Sequence, residues 1–150
     1  MTFDLRPVGV IRSTLTDRKN APRQGSEDAP DAWIDVHAFA VPALEGLAKG
    51  DEIFVLTWLH ESNRDVLKVR PRGNPSNPIS GVFATRSPDR PNPVGLHPVR
   101  ILEIETNRLK IGPIEAIDGT PVVDIKPMLC PAPPDPGAVP GSRPVNSSVP

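Results

Sequence analysis

A chain of 150 residues fits one domain with a modest hydrophobic core. It carries 21 Pro, one Cys and a net charge of −1. That composition limits helix, excludes an intrachain disulfide or a thiolate metal cluster, and gives no bulk-charge signal for a polyanionic partner. No apolar run reaches the roughly 18 residues of a membrane span, and MTFDLRPVGV lacks a signal-peptide core, so a cytoplasmic protein with no membrane partner is expected.

Leu5–Arg12 (LRPVGVIR) is rich in β-branched residues and reads as a first strand. Residues 13–32 form a long polar loop with PRQG in its middle. Trp33–Phe39 alternates apolar and polar, the period of a half-buried strand. A short helix is expected over Pro42–Ala48, with Pro42 in its first turn and Gly50 as a stop. Glu52–Leu59 (EIFVLTWL) is the most apolar run and predicts a central strand. Asp65–Arg70 alternates again, 71–79 is turn-rich, and Gly81–Thr85 predicts a strand leading into RSPDRPNPVGL. His97–Glu105 and Arg108–Ile114 read as strands joined in a hairpin at Thr106-Asn107, and Val122–Ile125 follows the Gly119-Thr120 turn as the last strand. These elements predict an all-β domain over residues 1–130, a small antiparallel barrel with one short helix, because closure removes exposed edges. Residues 131–150 are Pro-, Gly-, Ser- and Val-rich and read as a flexible tail.

Charge is unevenly placed. Between Arg64 and Arg100 there are seven Lys or Arg against two Asp, which is either a solvated strand face or a surface for an anionic ligand. Within it, RSPDRPNPVGL holds its backbone stiff with prolines while Arg86, Arg90 and Asn92 present polar groups. Such a loop loses little entropy on binding. Asp124 and Lys126 share one strand face, as a surface ion pair or as groups that hold a polar substrate edge. His37, His60 and His97 show no metal-ligand spacing, so no metal is expected, and no P-loop, nucleophile-elbow or dinucleotide fingerprint occurs.

GVFATRSPDRPNPVGL, DGTPVVDIKP and PRQ, with an N-terminal PVGVIRS, together resemble the TsaA-like (TrmO-type) family, whose best understood members methylate tRNA on the N6 of threonylcarbamoyl-adenosine beside the anticodon. The resemblance runs from about Pro7 to Pro127. It implies a β-barrel that binds S-adenosylmethionine near a homodimer interface, with tRNA as partner. By position, cofactor contacts fall on Pro22, Arg23, Gln24, His60, Glu61, Arg86, Leu96 and the turn Ile114, Glu115, Ala116, Ile117, Asp118. Glu115 stands where the family has Asp, and Met128 where it has Tyr. Asp124 and Asn92 are the candidates for polarising the methyl acceptor, and Arg90 and Lys126 for binding it. A small-molecule acceptor, or a module that only binds S-adenosylmethionine or RNA, remain as rival readings.

Overall fold

Period-two burial organises the molecule, which is described over residues 1–129 by a computed structural model. Eight strands form: β1 (Gly9–Arg12), β2 (Ala32–Val36), β3 (Glu52–Trp58), β4 (Lys68–Val69), β5 (Ser80–Gly81), β6 (Val94–Glu105), β7 (Arg108–Gly112) and β8 (Pro121–Pro127). Six close an antiparallel barrel in the order β1-β2-β7-β6-β3-β8, while β4 and β5 make a separate two-stranded ladder. On β2, β3 and β7 every second side chain points inward, so Ile34, Ile53, Val55, Leu109 and Ile111 are fully buried together with Ile11, Ile101 and Val122. These branched side chains fill the narrow lumen, and each contributes about 1.5–3 kcal/mol by leaving water.

The all-β barrel read from the sequence is thus the observed fold, with local corrections. The helix lies earlier than expected, as a 3-10 helix over Ala38–Leu44 with Pro42 inside it. The strand expected over Gly81–Thr85 is a 3-10 turn at Val82–Ala84, preceded by β5, and only Lys68–Val69 of the expected Asp65–Arg70 strand pairs. β1 is limited to Gly9–Arg12, β7 stops at Gly112, and β8 extends to Pro127. β6 starts at Val94 and runs straight through Pro98. Proline is tolerated there because β7 has ended opposite Arg100, leaving β6 paired only with β3 at the Pro98–Phe54 position. The expected tail, residues 131–150, and Cys130 lie outside the described residues.

Strand direction sorts the connections. Three of them, 13–31 (β1 to β2), 59–93 (β3 to β6) and 113–120 (β7 to β8), leave the same end of the barrel. The other end carries the Thr106-Asn107 hairpin and the 37–51 connection. Among the described residues no helix is long and apolar enough to cross a membrane.

Candidate functional site

Arginine side chains fasten the first two of these three connections to each other, and Gly25 and backbone bonds bring in the third. Arg72, at a left-handed φ of 56°, reaches from the second connection to the Glu27 carboxylate in the first. That hydrogen bond, ahead of the nearby Arg72 and Arg23 charges, lowers the Glu27 pKa. Arg18 crosses the other way, donating to Asp89 Oδ1 at 2.8 Å and to the Glu61 carbonyl at 3.3 Å, and the Asn63 N–H also donates to Asp89 at 2.9 Å. Partial burial opposes ionisation of Asp89, but the hydrogen bonds from Arg18 and Asn63 and the Arg18 charge outweigh it and lower its pKa. Arg64 donates to the Pro91 carbonyl at 2.7 Å and to Asn92 Oδ1 at 3.1 Å, while lying 5.0 Å from the Trp58 ring centroid. Gly25 touches the third connection: a Cβ there would stand 2.8 Å from the Pro113 carbonyl oxygen, so only glycine permits this approach without a shift.

The third connection is pinned from below by its own side chains. Ile114 and Ala116 are buried in the barrel core, and its ends are held by Ile114 N–H to the Pro30 carbonyl and Asp118 N–H to the Leu15 carbonyl. Glu115, between the two anchors, turns to His97 on the inner face of β6, with Nδ1 and Oε1 2.6 Å apart. His97 Nε2 lies 2.7 Å from the Thr57 hydroxyl on β3. Both His97 and Thr57 are buried, at 3% and 0% exposure.

Most of the residues expected at the site lie at this end of the barrel, Asp124 and Lys126 excepted. Pro22, Arg23 and Gln24 lie on the first connection beside Glu27, with Pro22 half-buried and the other two exposed. His60 and Glu61 are exposed at the start of the second connection, directly after β3, so His60 is not a core histidine. Arg86 is exposed beside a shallow recess of about 340 Å³ that it lines with Phe83, Ala84 and Thr85, and no ion pair reaches it among the described residues. Arg90 instead turns inward on its own loop, donating to the carbonyls of Ser87, Val82 and Thr85 at 2.6–2.8 Å. The Asn92 amide oxygen is occupied by Arg64.

Leu96 points outward from β6, and the Leu56 opposite it pairs on its other side with Asp124. Asp124 therefore stands on the outer wall of the barrel, paired with Lys126 at 3.4 Å, rather than among the three connections. Of the 114–118 turn, Ile114 and Ala116 can offer a ligand only backbone, whereas Glu115 and Asp118 present carboxylates. Sequence reading passed over Thr57 and His97. Strand parity could have found the second, since His97, Val99 and Ile101 share one face. Arg18 and Arg64 have no comparable signal, because their partners are distant in the chain. Among the described residues no three His, Cys, Asp or Glu side chains group as metal ligands.

Residues 10–132 match the model of the tRNA-methyltransferase O N-terminal domain. The chain belongs to the TrmO family. An S-adenosyl-L-methionine-binding protein of Archaeoglobus fulgidus is 46% identical over 125 residues, a match spanning 81% of this chain and 86% of that one. A crystal structure of TrmO superposes with a TM-score of 0.70 at 35% identity over the whole of this chain, and one of TrmO from Pseudomonas aeruginosa with 0.67 at 32% over 99% of it. This chain spans 66% and 64% of those two TrmO chains. The three connections and the site residues described on them lie within the stretch matched to the TrmO domain.

Proposed function

We propose that this protein is an S-adenosylmethionine-dependent methyltransferase acting on the N6 of threonylcarbamoyl-adenosine in tRNA. The observation that carries the reading is a TrmO-family barrel with three connections on one end, the second of which exposes Arg86, whose guanidinium is left without an ion-pair partner among the described residues.

The residues present suit the cofactor. Arg86 offers a cation for the amino-acid carboxylate, and Glu61, Glu115 and Asp118 offer carboxylates for an ammonium or a ribose diol. The backbone N–H groups of Glu115, Ala116 and Ile117 make no hydrogen bond among the described residues, so they remain for a purine edge. Pro22, Arg23 and Gln24 close the same end from the first connection. When bound, S-adenosylmethionine supplies a methyl group already activated by its sulfonium.

The protein's own work is then alignment and exclusion of water, with Arg18, Arg64, Arg72 and Arg90 holding the connections in register. Asp124 is the candidate to accept a hydrogen bond from the amine that receives the methyl, with Lys126 beside it to bind the acceptor. Asn92 can serve the acceptor through its amide NH₂, its oxygen being engaged. Val94 and Leu96, about 40% exposed on the outer face of β6, are apolar, and we assign this face to a second copy of the chain in a homodimer. A cytoplasmic location belongs to the same proposal.

A binding module that never transfers the methyl is the second reading, because the archaeal relative is named for binding alone. Incubation with S-adenosylmethionine and matched tRNAs, with and without the threonylcarbamoyl group, followed by nucleoside mass spectrometry, separates the readings. The proposal predicts a methylated product only from the modified tRNA, with binding that weakens as salt rises because phosphate contacts release counterions. Cofactor binding with no product from any tRNA would leave the sensor or a small-molecule acceptor.

A further inference from the structure

A hydroxyl, an imidazole and a carboxylate stand in line inside the barrel: Thr57 Oγ1, 2.7 Å to His97 Nε2, then His97 Nδ1, 2.6 Å to Glu115 Oε1. The order is that of a nucleophile–base–carboxylate triad, but Thr57 is completely buried in the wall of the lumen, where no substrate reaches its oxygen. The chain of hydrogen bonds leads instead outward, from β3 through β6 to the connection between β7 and β8.

We infer that His97 is a positioning residue that holds the Glu115 carboxylate in place at the seam between the first and third connections. This inference rests on the reading that these connections bind S-adenosylmethionine. His97 is the only hydrogen-bond partner of the Thr57 hydroxyl among the described residues. The hydroxyl must therefore donate to an unprotonated Nε2, which leaves the proton on Nδ1, where it donates to Glu115. A doubly protonated ring would leave the buried Thr57 O–H without an acceptor.

With Oε1 held in this way, Glu115 Oε2 lies 3.4 Å from where a Gly25 Cβ would stand, at the contact between the PRQG segment and the 113–120 connection. The carboxylate is partly exposed, at 19%, so one oxygen is locked from the core and the other faces the place where a ligand's hydroxyl or ammonium would arrive. A carboxylate oriented before binding loses less entropy when the ligand comes.

The motif glycine belongs to the same device. A side chain at Gly95 would collide with both Thr57 Oγ1 and His97 Nε2, because Gly95 and His97 share the inner face of β6. The glycine that ends RPNPVG is there to make room for the imidazole two residues later.

Two readouts test the inference. In the intact wild-type protein, nitrogen-15 NMR of the imidazoles should show His97 neutral with its proton on Nδ1, and a proton on Nε2 would overturn the assignment. Calorimetric titration with S-adenosylmethionine should show His97→Ala weakening binding by about tenfold, the scale of a lost hydrogen bond to a charged group. His97→Asn, which keeps a donor near the Nδ1 position, should recover most of that loss. Glu115→Gln should be weakened similarly, and the double variant no further, since both act through one contact. Thr57→Val, which keeps the side-chain shape, provides a further folded variant and should weaken binding less than His97→Ala. Folded His97 variants that bind like wild type would overturn the positioning role alone. Absence of binding by the wild type would overturn the functional reading and this inference with it.

Discussion

The two ends of the barrel are closed by different mixtures of bonds. At the hairpin end the backbone does the work: Val36 N–H to the Asn107 carbonyl, Gly50 N–H to the Ile101 carbonyl, Ile101 N–H to the Asp51 carbonyl and Met128 N–H to the Glu52 carbonyl, all at 2.8–3.0 Å. At the loop end, backbone bonds such as Ile114 N–H to the Pro30 carbonyl are joined by side chains, which bridge two connections through Arg18–Asp89 and Arg72–Glu27, brace one internally through Arg64–Asn92, and tie β6 to another through His97–Glu115. Backbone closure is insensitive to residue identity, whereas side-chain closure depends on each residue. The difference teaches that the end whose geometry is specified residue by residue is the end that can be shaped to a ligand.

That contrast can be broken by substitution. The largest effect on stability should come from Gly95→Ala, whose Cβ collides with Thr57 and His97. Overpacking together with a lost buried hydrogen bond costs about 3 kcal/mol, read from urea denaturation. Arg86→Ala should leave the melting temperature unchanged, because no ion pair reaches Arg86 among the described residues, yet weaken cofactor binding about 100-fold, the scale of a lost charge pair with a ligand. A fall in melting temperature with binding intact would make Arg86 a structural residue instead of a cofactor contact.

Asp89→Asn should be milder, about 1 kcal/mol at neutral pH for partly exposed charge-assisted hydrogen bonds. Its pH dependence has a defined sign. The folded pKa of Asp89 is lowered, so its stabilisation is fully present above the unfolded value near pH 4 and is lost as pH falls through the lower folded value. The gap between wild type and Asp89→Asn in melting temperature should therefore close on acidification below about pH 4. The smallest effect belongs away from the loop end, where Arg100→Ala removes an exposed pair with Glu52 and should change neither melting temperature nor binding measurably.

Much of the wall was legible because a strand's parity is written in its own residues: Ile53, Val55 and Thr57 alternate with Phe54 and Leu56, and β3 emerges almost at its expected bounds. The segment 65–85 misled for the same reason. Leu67 and Val69 alternate as a strand would, but no barrel strand lies beside them, and alternation carries no information about a partner. At the site, the stiff RSPDRPNPVGL loop and the PRQ segment were legible as local motifs. The partition of their arginines was not: Arg86 is exposed and makes no ion pair among the described residues, whereas Arg90 clamps three carbonyls of its own loop. Two like residues in one motif differ only by which carbonyls the folded chain brings within reach.

The central claim is that the loop end transfers a methyl group to tRNA, and it is tested most directly by following label from methyl-labelled S-adenosylmethionine into tRNA from cells lacking their own enzyme, with wild type and Arg86→Ala side by side. The account predicts label in tRNA with the wild type and its loss with the variant. No label from a wild-type protein that binds the cofactor, or equal label from both, would contradict it.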